Sequence, residues 1–175
     1  MLLLADAGAT EYVITLARAA SESETHAAHE LSRVLGEISG AEFQVVLPAD
    51  AGDAPRIAVG PGAAVQAGLP AEALDGLGHE GVLIRVVGSD LILTGDTGAP
   101  RGTLYAVYTF LEDDLGCRWW SSKVSHIPKM ERVEIGDIDE RFVPILEYRE
   151  SFWFDAFDVD GNGTIGIDEF EAILA

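Results

Sequence analysis

A single cysteine, Cys117, excludes an intrachain disulfide framework. Bases are scarce as well: 11 Lys and Arg stand against 30 Asp and Glu, a net charge of −19. That deficit opposes nucleic acid and anionic membranes as partners, because phosphate contacts need cations. Seven of the acids and none of the bases fall in residues 150–175, so the rest of the chain is acidic too. No apolar run reaches the ~18 residues that a membrane-spanning helix requires. The apolar start M-L-L-L-A-D-A-G-A has no basic segment before it and soon meets Asp6, a poor match to a signal peptide. What is present is 48% apolar residues, enough for one domain with a real core plus a small appendage.

The sharpest chemical pattern lies near the end. Residues 158–169 read D-V-D-G-N-G-T-I-G-I-D-E. Ca²⁺ takes six to eight oxygen ligands, and this spacing supplies them. Asp158, Asp160 and Asn162 offer side-chain oxygens, Gly163 permits the sharp turn, and Thr164 gives its backbone carbonyl. Gly166 has no side chain, so a water fills its place, and Glu169 binds with both carboxylate oxygens. Phe154 and Phe157 precede the loop, and Phe170, Ile173 and Leu174 share a helical face after it. The segment 151–175 therefore resembles one EF-hand, a small helix-loop-helix with Ca²⁺ as its cofactor. EF-hands work in pairs, so Ile165 and the Phe170 face call for a second loop in a homodimer or for packing on the rest of the chain.

Elsewhere the pattern alternates. Tyr12–Ala17, Phe43–Leu47, Arg56–Val59, Arg132–Ile135 and Ile145–Tyr148 read as strands. Gly81–Val87 and Leu91–Thr94 read as two strands of a hairpin turning at Gly88-Ser89-Asp90. Ser21 and Glu24 form a capping box that opens a helix with Ala27, Leu31, Val34, Leu35 and Ile38 on one face and Gly40 as its stop. A second amphipathic helix carries Leu104, Val107, Tyr108, Leu111 and Leu115 and stops at Gly116; residues 63–78 read as short helical turns. The expected fold is α+β: a mostly antiparallel sheet with two amphipathic helices packed on one face.

Several blocks together carry a family resemblance. They are H-A-A-H-E-L at 26–31, P-R-I-A-V-G at 55–60, R-G-T-L-Y-A-V-Y at 101–108, L-G-C-R-W-W at 115–120, H-I-P-K at 126–129 and E-Y-R-E-S-F-W at 147–153. This resembles the N-terminal domain of bacterial alpha-glucuronidases and related glycoside hydrolases, and the second domain of beta-hexosaminidases. The resemblance implies an accessory domain docked against a catalytic (β/α)₈ barrel that holds the carboxylate pair, and an extracellular or periplasmic parent. In that family the chain continues into the barrel, whereas here position 161 is Gly and the EF-hand pattern takes over. The expected organisation is an accessory domain over 1–150 and a calcium-binding motif over 151–175, with Ca²⁺ binding as the activity and no catalytic residues. The alternatives are a fragment of an alpha-glucuronidase-like hydrolase, a calcium-dependent interaction module, or a fusion of two pieces.

Other groups have plainer readings. Glu112, Asp113 and Asp114 read as a solvated or docking face, and His26 and His29 as a solvent-facing pair. Cys117 reads as a buried structural thiol. Trp119 and Trp120 suit sugar stacking or a partner barrel, with core packing expected for at least one. Gly60-Pro61-Gly62 and Gly95–Gly98 read as turns.

Overall fold

A computed structural model describes residues 1–121 and 123–146. The EF-hand-like segment, with Asp158, Asp160, Asn162, Thr164 and Glu169, lies outside the described residues. The described chain divides into two units: Met1–Cys117 with Ile127–Pro144, and Arg118–His126 with Ile145 and Leu146.

The first unit is α+β. Its strands are β1 (Leu2–Asp6), β2 (Val13–Leu16), β3 (Val45–Val46), β4 (Arg56–Val59), β5 (Val82–Val87) and β6 (Asp90–Thr94). Its helices are α1 (Glu22–Ser39), α2 (Pro61–Gln66) and α3 (Gly102–Thr109), the last running on as a π-helical turn over Phe110–Asp114. After the hairpin strands β7 (Arg118–Ser121) and β8 (Val124–His126) of the second unit come β9 (Arg132–Ile135) and β10 (Asp139–Phe142).

The main sheet runs β10-β5-β6-β4-β2-β3. Its β6, β4, β2 and β3 are parallel neighbours, while β10, β5 and β6 are antiparallel. The sheet is thus mixed, where a mostly antiparallel one was expected. The reason is burial: Ile57–Val59 and Leu91–Leu93 are inaccessible run by run. Strands covered on both faces read as unbroken apolar runs, the mark of parallel pairing with helical crossovers.

Helices α1 and α3 pack on each other and on one face, as expected. The opposite face is covered as well, by α2 and the short 3₁₀ turn Ala71–Leu74, where Ala63, Ala64, Leu69, Leu74 and Leu77 meet Ala58, Leu83 and Ile92. Alternation turns Ile57, Val59, Leu91 and Leu93 to the α1–α3 side.

Local chemistry fixes the ends of α1. The Glu24 N–H donates to Ser21 Oγ at 3.2 Å and the Ser21 N–H donates to Glu24 Oε2 at 2.9 Å, the reciprocal cap read from the sequence. Gly40 closes the helix at φ 76°, its N–H donating to Gly36 O. At the β5–β6 turn, Gly88 takes φ 63°, as the hairpin requires.

Two strands of this unit had no clear signal. The apolar start forms β1, which buries Leu4 and pairs antiparallel with β9, Leu2 opposite Ile135. The polar β10 is exposed at every position. Partners recruit it: Arg85 Nε donates to Asp139 Oδ1 at 2.7 Å, and Arg141 donates to the carbonyls of Ala73 and Asp75 at 2.7 and 2.6 Å. Ile145 and Leu146, expected to begin a strand, form none; the rest of that stretch lies outside the described residues.

Candidate functional site

The resemblance blocks occupy distinct structural roles. In R-G-T-L-Y-A-V-Y, Gly102 begins α3 and Thr103 Oγ1 accepts the Gly95 N–H at 3.1 Å, tying the helix start to the end of β6. In H-I-P-K, Lys129 Nζ donates to the carbonyl of Glu37 at 2.6 Å, and the next residue, Met130, donates its N–H to Ile38 O at 2.8 Å. A cation on the final carbonyls of α1 suits the negative end of the helix dipole. An open groove of about 530 Å³ lies here, lined by Glu37, Ser39, Lys129 and Glu131. A second open groove of about 450 Å³ is lined by Asp53, Arg56, Gln66, Ser89 and Asp90. In it the Arg56 N–H donates to Asp90 Oδ1 at 2.8 Å.

The acidic run lies on the π-helical turn. Phe110 and Leu111 face inward, Glu112 is half-buried, and Asp113 and Asp114 reach solvent. Partial desolvation raises the Asp114 carboxyl from 3.8 to about 6, and the negative charges of Glu140 and Asp113 add to the effect. Strand pairing explains the meeting: Glu140 on β10 lies opposite Ile84 on β5 and shares its face, the side where α3 packs.

The folded state therefore holds this proton more tightly than the unfolded chain. Stability from the protonated form is present below pH ~4 and is lost as pH rises through about 6. Asp114→Asn should melt with the wild type at pH 4 and above it at pH 7. Parallel thermal melts at the two pH values check this, and an equal shift at both would refute the assignment.

His26 and His29 are exposed on α1, as expected. Their neighbour Glu30 turns to Arg33, with Nη2 donating to Oε1 at 2.6 Å and Nε to Oε2 at 2.9 Å. The Arg33 hydrogen bonds hold the Glu30 carboxyl below its ordinary range despite partial burial. Among the described residues no group of three or more His, Cys, Asp or Glu is arranged to hold a metal. Cys117 is wholly buried as a thiol, in line with the structural reading. Gly60-Pro61-Gly62 is the turn from β4 into α2, with Gly60 at φ 84°. In the second unit, Trp119 is half-buried and Trp120 is 56% exposed, so neither Trp is fully in a core.

What sequence reasoning missed was the approach of Glu140 to Asp114. Only the register of β10 brings the two together, and the D-E-R-F stretch gives no strand signal.

No family model matches this sequence, and no curated protein matches it. Among solved structures, the chain is similar to a family GH115 4-O-methyl-alpha-glucuronidase, BtGH115A, with specificity for decorated arabinogalactans. The TM-score is 0.62 at 20% identity, over 85% of this chain and 19% of that one. The chain thus spans about a fifth of that enzyme's length and has the fold of the region it matches.

Proposed function

We propose that residues 1–150 are a non-catalytic accessory domain of the alpha-glucuronidase type, of the kind that packs against a (β/α)₈ barrel. The likeness in fold to part of a GH115 enzyme, over 85% of this chain, carries the reading. The R-G-T-L-Y-A-V-Y and H-I-P-K blocks support it, because they hold α3 and the end of α1 to their neighbours. Hydrolysis of the glycosidic bond belongs to the barrel, whose two carboxylates flank the scissile bond.

The chain alone should release no uronic acid from a 4-O-methyl-glucuronoside. Fused to the similar enzyme in place of the matched region, it should give a folded protein that does release it. Hydrolysis by the isolated chain, or a folded but inert fusion, would overturn the reading.

A second component is calcium binding by the loop at 158–169. Its support is the ligand spacing Asp158, Asp160, Asn162, Thr164 and Glu169. Calorimetric titration with CaCl₂ should show one site, and Glu169→Gln should abolish its heat, since the bidentate ligand is removed. Binding unchanged by that substitution would refute the ligand set.

A further inference from the structure

Among the described residues, most exposed large apolar side chains sit inside an element. Leu3 belongs to β1, Val65 to α2, Trp120 to β7, Val124 to β8 and Phe142 to β10. Apart from the N-terminal Met1, the others follow β10 in the chain, at Val143, Ile145 and Leu146. Ile145 is 97% exposed and Leu146 65%. No helix or strand includes any residue from Val143 to Leu146. Pro144 accounts for the stop, since its ring nitrogen has no hydrogen to give to a ladder. Open, unpaired chain is where proteases cut folded proteins, because bound substrate must offer its backbone as well as a side chain.

We propose that the bond between Ile145 and Leu146 is a processing site for an endopeptidase that seats an apolar side chain just after the scissile bond. Hydrolysis adds one water across the amide. The carbonyl carbon of Ile145 takes the oxygen and becomes a carboxylate, and the nitrogen of Leu146 leaves as a new amino terminus.

Neighbouring bonds suit such an enzyme less. The Val143–Pro144 bond ends in a ring nitrogen, and Pro144–Ile145 sets the rigid ring on the acyl side. Phe142 is held in the ladder opposite Val82, and Val65 lies within a helix. Those segments must open before a cleft can take them.

Every helix and strand of the described chain precedes the cut. β10 is also fastened upstream of it, by Arg85 on Asp139 and by Arg141 on the carbonyls of Ala73 and Asp75. Residues 1–145 therefore keep their fold when the remainder leaves. The remainder, 146–175, carries eight acids and one base and the whole calcium-loop pattern, so processing separates that loop from the α+β unit. The inference rests on exposure and pairing, independently of the accessory-domain and calcium readings.

The test is limited digestion of the 175-residue chain with thermolysin, which selects an apolar residue after the scissile bond, read by mass spectrometry. The expected persistent fragment is residues 1–145, and it should melt cooperatively. Leu146→Asp places a carboxylate where the enzyme takes an apolar side chain, and should slow formation of that fragment roughly tenfold. Leu146 is exposed, so the intact variant should melt with the wild type. Accumulation of fragments cut before Val124 instead, a persistent fragment reaching beyond Leu146, or equal rates for the wild type and Leu146→Asp would overturn the proposal.

Discussion

Gly102→Ala should lower the unfolding free energy by about 3 kcal/mol, a large part of the ~5–15 kcal/mol that holds a domain folded. A Cβ at position 102 would lie 2.5 Å from the carbonyl oxygen of Gly81 and 2.9 Å from the Cα of Gly95. The reciprocal substitution at Gly95 would meet the Cα and carbonyl carbon of Gly102 and the amide of Thr103, each at 2.7 Å. All of these are backbone atoms, so no rotamer change relieves the clash. The junction of β5, β6 and α3 must open instead, and the Gly95 N–H to Thr103 bond opens with it. Gly136 is the control: it has no positive φ, and an added Cβ there meets nothing within 4 Å. Gly136→Ala should stay within ~0.5 kcal/mol of the wild type. Urea unfolding of both variants decides it, and equal midpoints would show that the close approach has no energetic weight.

That junction also shows what a single sequence makes legible. The R-G-T block is visible as letters, but its physical content is the close approach of Gly102 to the backbone of Gly95 and Gly81. The α1 cap was readable because Ser21 and Glu24 satisfy each other locally. The β5–β6 hairpin was readable because its turn is local as well. Parallel pairing of β2, β4 and β6 was harder, since a buried apolar run has no intrinsic direction. β10 was invisible: its residues are polar, and Arg85, Ala73 and Asp75 hold it from outside its own segment. The approach of Glu140 to Asp114 inherits that blindness. Exposure of Trp120 was not readable either, because apolar letters alone do not say whether a two-stranded hairpin has a core beneath it.

Phe110→Ala should cost about 3–5 kcal/mol. Phe110 is wholly buried, and its backbone N–H donates to the carbonyls of Ala106 and Val107 at the junction of α3 with the π-helical turn. In the same segment Leu111 and Cys117 are inaccessible and Leu115 is nearly so. The Cys117 N–H returns to Leu111 O at 2.9 Å and closes the segment on itself. Removing the ring leaves a cavity that this closed turn has little freedom to fill. The chain's only cysteine sits at the end of the same segment, and its thiol reports on opening. When a buried thiol reacts only through unfolded molecules, a loss of ~3 kcal/mol raises its labelling rate roughly hundredfold. Thiol labelling and urea unfolding on the same samples give two readings of one energy. A large drop in stability with unchanged labelling would mean that Cys117 opens locally, independently of the Phe110 core. Unchanged stability would mean that the ring holds nothing together.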